Sequence, residues 1–202
     1  QTYYPKSKTT VYLNNLSALI FQKIYKTKRA EQNRLLYFFK TEVPLLVHHY
    51  RRYLFYAFGF FILFTLIGFI SAYYDKEFVR IILGDEYVNK TIKNIESGNA
   101  VGVYQQGSDW GSTIAITSNN LQVGAKLFIY GIAGGLGTLY VLLQNCIMLG
   151  SFQYFFHEHG ALKESAKGIW MHGVFEIFSM VVEAMAGLIL GASLLFPKTY
   201  SR

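Results

Sequence analysis

Four residues of this chain have the types and spacing to do chemistry together: His172, Glu176, Ser179 and Glu183. A helix turns about 100° per residue, which sets all four within roughly 60° of one face. An imidazole one turn from a carboxylate could serve general acid–base work. Two carboxylates in apolar surroundings could mark a proton or ion path. The same stripe could instead join helices by polar contact. No nucleophile–base pair and no activating partner accompanies it, so no catalytic residue is assigned and no enzyme is expected. His157 and His159 flank Glu158 and could be imagined joining His172 and Glu176 around a metal. Their spacing is not HExxH or any other specific ligand pattern, so neither metal nor cofactor is expected. Asn145 is the other polar residue of interest, an amide in an apolar run that needs partners. Counting about 1.5 Å per residue from the inner helix ends puts Asn145 near the depth of Glu176. The same count puts Glu183 near Gly134 and Gly135.

These residues need membrane helices to position them. The chain of 202 residues is 52% hydrophobic and 15% charged, where soluble domains average about 25% charged. Residues 53–74 carry no charge, and about 20 apolar residues cross the hydrocarbon, so they form a first transmembrane helix. His48 and His49 at its start read as interfacial residues, since neighbours on a helix point about 100° apart. Residues 121–156 read as a long Gly-rich transmembrane helix, because Leu127 to Phe156 is uncharged and exceeds one span. Residues 168–197 form a third span carrying the polar seam. Gly131 and Gly135, and Gly187 and Gly191, are small-xxx-small pairs that let helices approach closely, with Gly134 beside them.

Charge orients the spans. Residues 1–52 hold ten Lys/Arg against Glu31 and Glu42. They read as a basic cytoplasmic helical segment beside anionic lipid, with helices over 10–25 and 30–40 and a break at Pro44. Nucleic acid is not an expected partner, because no base-reading pattern accompanies the charge. Residues 75–120 hold four Lys/Arg and six Asp/Glu and read as extracytoplasmic, with interfacial helices. One of these helices starts at Asp85 and stops at Gly98. Asn119 and Asn120 are placed at the start of the next helix, where their amides satisfy free N–H groups. Residues 157–167 are then a cytoplasmic turn. Three spans starting inside leave Arg202 outside, with residues 198–202 as the start of a further segment. Cys146 lies alone in an apolar run and reads as a small buried hydrophobe.

Short motifs spread over the chain carry a resemblance. They include Tyr4-Pro5-Lys6-Ser7, Tyr12-Leu13-Asn14, Ile82-Leu83-Gly84-Asp85, Asn119-Asn120 and Gly137-Thr138. Asn145 with Leu149-Gly150, His172-Gly173 followed by Glu176, and Ala186-Gly187-Leu188 are further ones. Together they resemble the stage II sporulation protein M family, in its longer form found outside spore formers. Cys146 departs from the family pattern, which usually has Gly there. The resemblance implies a multi-pass protein of the bacterial inner membrane, with more chain before Gln1 and after Arg202. It also implies kinship with a membrane anchor that holds cell-wall-degrading enzymes in a complex.

The expected class is an all-α integral membrane protein, a helical bundle with about three transmembrane helices in this stretch. The expected function is a non-enzymatic scaffold assembling a cell-envelope complex. Its expected partners are membrane lipid, further copies of itself and other membrane or envelope proteins. The rival expectation is a transporter or lipid-handling channel that uses the His/Glu seam.

Overall fold

A computed structural model describes residues 7–25, 33–98, 109–167 and 171–197, and every regular element in them is helical. The chain divides into two compact units, residues 1–46 and 47–202.

The first unit holds α1 (Lys8–Tyr25), capped where the Ser7 hydroxyl accepts the Thr10 N–H at 3.1 Å. It also holds α2 (Arg34–Tyr37), which does not run on to Lys40 as a regular helix. A π-turn (Phe38–Glu42) follows, and α3 (Val43–His49) continues beyond it. Pro44 accounts for the widened turn. Its ring crowds the carbonyl four residues back and it offers no N–H, so the helix loosens before it and resumes.

In the second unit, α4 (Arg51–Tyr74) is a 24-residue apolar helix. The Asp75 side chain then accepts the Glu77 N–H at 3.0 Å and starts α5 (Lys76–Leu83). Gly84, at φ +86°, turns the chain into α6 (Asp85–Glu96), and Gly98 at φ +79° follows it. Asp85 is the first residue of α6, not its cap, and accepts a bond from Arg80 at 2.9 Å.

The stretch expected to be one long helix is two. α7 (Asp109–Ile129) ends in a short 3-10 turn (Tyr130–Ile132), and α8 (Leu136–Glu158) leaves in the opposite direction. Gly134 and Gly135 lie between them at φ +65° and +86°, a backbone region that L side chains avoid. An absence of charge reads as continuity in sequence, but here it covers a hairpin. Asn119 and Asn120 consequently sit inside α7, not at a helix start. After α9 (Leu162–Ser165), α10 (Met171–Leu195) returns along the bundle.

Among the described residues three helices are long and apolar enough to cross a membrane: Arg51–Tyr74, Leu136–Glu158 and Gly173–Leu195. The more polar α7 runs beside α10, with Gly124 level with Glu183 and Gly131 level with Gly187. One core joins all four helices, through Ala57 of α4, Leu127 of α7, Leu142 and Cys146 of α8, and Ala184 of α10.

Helices α4 and α8 run parallel. Gly68 meets Ile147, Phe69 meets Tyr154 at 5.4 Å between ring centroids, and Lys76 pairs with Glu158 at 2.6 Å. A second core ties Val79, Val88, Phe155 and Ala161 together at this end. Residues 75–98 and 157–167 therefore share one end of the bundle. The expectation that a cytoplasmic turn at 157–167 faces away from the segment after Asp75 is corrected. It missed that α7 runs back along the bundle beside α10 before α8 begins. Pro197 accordingly lies at the end where α4 begins.

Candidate functional site

A cavity of about 410 Å³ lies where α7, α8 and α10 meet. Its polar lining comes from Asn119 and Asn120 of α7, Asn145 of α8, and Glu176, Ser179 and Glu183 of α10. Its apolar lining includes Leu121, Met148, Phe175 and Met180. The helical period sets Glu176, Ser179 and Glu183 on one face of α10, and the α7–α8 hairpin brings the three amides to that face. Asn119, Glu176 and Ser179 are exposed on the flank of the bundle, while Asn145 and Glu183 are half-buried. His172 lies in the first turn of α10, and its side chain is outside the described residues.

The cavity has a direction. Glu176 is five residues from the start of α10, about 8 Å along the helix axis, and Glu183 about 18 Å. In a hydrocarbon layer about 30 Å thick, Glu183 lies near the middle. There the Glu183 carboxylate meets Gly124, where an added Cβ would fall 2.5 Å from the Glu183 carboxyl carbon. A glycine at this point is what gives the carboxylate room.

Beyond Glu183 the three helices close on one another. The buried Thr138 hydroxyl donates to the Leu127 carbonyl at 2.8 Å. A Cβ on Gly131 would fall 2.9 Å from the Gly187 Cα, and one on Gly191 would fall 2.6 Å from the Gly134 carbonyl carbon. Gly134 itself faces Leu195, and Gly135 faces Leu188. Gly131, Gly134, Gly135, Gly187 and Gly191 thus lie where these helices come close beyond Glu183, and Glu183 adjoins Gly124 and not Gly134 or Gly135.

Asn145 donates through Nδ2 to the Val141 carbonyl of its own helix at 2.8 Å, which fixes the amide at the cavity wall. Among the described residues no ion pair reaches Glu176 or Glu183. Nor does any group of three His, Cys, Asp or Glu come close enough to hold a metal. The site is therefore two carboxylates, three amides and the hydroxyls of Thr117 and Ser179 beside apolar side chains. Such a set attracts cations and both accepts and donates hydrogen bonds.

Three positions escaped the sequence reading. Gly124 is one. Gly68 and Gly150 are the others, and they weld α4 to α8: a Cβ on Gly68 would fall 2.7 Å from the Ile147 Cα, and one on Gly150 2.6 Å from the Phe69 N. The signal was present as Cys146-xxx-Gly150 facing Thr65, Gly68 and Ala72 at helical spacing.

No curated protein and no solved structure matches the chain. The profile of the Stage II sporulation protein M family does, over residues 57–202. That range takes in the four-helix bundle, its hairpin and the carboxylate-lined cavity, and it makes this multi-pass membrane protein a member of the stage II sporulation protein M family.

Proposed function

We infer that the chain is a non-enzymatic scaffold of the bacterial inner membrane that holds cell-envelope proteins in a complex. One observation carries this reading: the carboxylate-lined cavity lies on the flank of the bundle, with Glu176 and Ser179 exposed there. A carboxylate facing hydrocarbon costs about 3 kcal/mol on insertion scales. Glu176 is exposed, so a polar surface must cover it in the membrane. A transmembrane segment that supplies hydrogen-bond donors or a cation meets that need, from another membrane protein or a further copy of this chain.

A photo-crosslinking residue at Ser179 tests this in native membranes, with the adduct identified by mass spectrometry. A single protein adduct at high yield is the expected result. A transporter is the second reading, favoured by the reach of the cavity to Glu183. It predicts no protein adduct, together with rapid modification of Ser179→Cys by a water-soluble thiol reagent in a Cys146→Ala background. That combination overturns the scaffold.

A further inference from the structure

A second cavity, of about 820 Å³, lies at the opposite end of the bundle, where α4 begins and α10 ends. Its two walls differ in chemistry. One is built from His48, His49, Arg51 and Arg52 with the phenols of Tyr50, Tyr53 and Tyr56. The other is Ile189, Ala192, Phe196 and Pro197, with Ser193 among them. Among the described residues no carboxylate lines either wall.

Local structure explains the cationic wall. Tyr50 leaves helical geometry at φ −98°, ψ 16°, and separates α3 from α4. That places Arg51 and Arg52 in the first turn of a 24-residue helix, where the positive end of the helix dipole adds to their charge. The aromatic rings run in series along the rim: His49 to Tyr50 is 4.7 Å between centroids, Tyr50 to Tyr53 6.2 Å and Tyr53 to Tyr56 6.3 Å. Tyrosines at a span's end sit at headgroup depth, with the ring in the apolar layer and the hydroxyl outside it.

A ligand that satisfies both walls needs an anionic head of phosphate size and an apolar tail alongside it. Guanidinium groups match phosphate oxygens in a fixed fork, and tyrosine hydroxyls donate to the same oxygens. The apolar wall on α10 continues into the span, the direction an acyl chain takes. Free phosphate would leave that wall uncovered. We propose that this cavity is a binding site for one anionic phospholipid, its phosphodiester held by Arg51 and Arg52 and its acyl chain laid along Ile189, Ala192 and Phe196. The site lies apart from the carboxylate cavity and does not depend on the scaffold reading.

The test uses the whole protein, delipidated in detergent and followed by native mass spectrometry. Phosphatidylglycerol and phosphatidylcholine of equal chain length are titrated in parallel, with inorganic phosphate as a third arm. One phosphatidylglycerol is expected to bind roughly tenfold or more tightly than phosphatidylcholine. Arg51→Gln with Arg52→Gln is expected to abolish that preference. Inorganic phosphate is expected neither to bind measurably nor to compete. Should the double variant fail to fold, Ala192→Leu fills the apolar wall, leaves both guanidinium groups in place, and is expected to weaken phosphatidylglycerol binding severalfold. Equal binding of the two lipids overturns the proposal. So does a preference that survives the double variant, phosphatidylglycerol binding left unchanged by Ala192→Leu, or competition by inorganic phosphate at the lipid's own concentration.

Discussion

Gly124 and Gly150 are both buried and both in close contact, yet they meet different things. A methyl group at Gly150 strikes the α4 backbone, which cannot yield. Gly150→Ala is expected to lower stability by about 1–3 kcal/mol, read as thermal unfolding in detergent. A methyl at Gly124 strikes the end of the Glu183 side chain, which can swing away. Gly124→Ala is expected to be nearly neutral in the same assay, since the helix gains up to about 1 kcal/mol from losing a glycine. It should still disturb the cavity, and with it any crosslinked adduct at Ser179. Glu183→Leu separates stability from function in the other direction. It removes a carboxylate without an ion-pair partner among the described residues, so stability should hold or rise by up to about 3 kcal/mol while adduct yield falls. A loss of stability would mean that Glu183 has a structural partner. At this scale the sequence was informative about the stripe. Period alone placed Glu176, Ser179 and Glu183 on one face of α10. It could not reveal Gly124, whose importance comes from a helix pairing and not from its neighbours in the chain.

Among elements, the α7–α8 hairpin was the least legible. Hydropathy registers where charged residues interrupt an apolar run, and none interrupts this one between Leu127 and Phe156. The break is instead written in backbone angles, at Gly134 and Gly135. Replacing either by Ala is expected to cost about 1–2 kcal/mol, because each would force a side-chain-bearing residue into left-handed geometry. Circular dichroism should show the helices retained while the unfolding midpoint falls. At the other end of the bundle, the Lys76–Glu158 pair joins the start of α5 to the end of α8. The Glu158 carboxylate raises the Lys76 ammonium above its ordinary value, first through their hydrogen bond and then through charge. A raised lysine contributes stability fully below its unfolded value, near pH 10.5, and loses it as pH climbs through the folded value. Lys76 is open to solvent, so the effect is small. Unfolding midpoints measured from pH 7 to pH 9 should show no change from this pair. The fall due to it should begin only in more alkaline solution and vanish in Lys76→Met.

For the whole molecule, long uncharged runs were a sound guide to the membrane class and a poor guide to where the chain reverses. The positive-inside rule orients one end, and a missed reversal then flips everything after it. That is why residues 157–167 were placed opposite the segment after Asp75. Single cysteines at the exposed Glu86 and Glu164, in a Cys146→Ala background, should be labelled from the same face of sealed vesicles. Labelling from opposite faces would refute the bundle described here. The polarity of α7 has one more consequence, for how the protein is made. Its serines, threonines and amides give it little reason to stay in lipid by itself, whereas α8 has ample reason. During synthesis α7 is therefore expected to settle together with α8 and not before it. It stays unlocked until α10 arrives to cover its glycine face. A ribosome stalled before residue 171 would leave a chain whose hairpin is inserted but unlocked, and whose α7 remains open to membrane proteases.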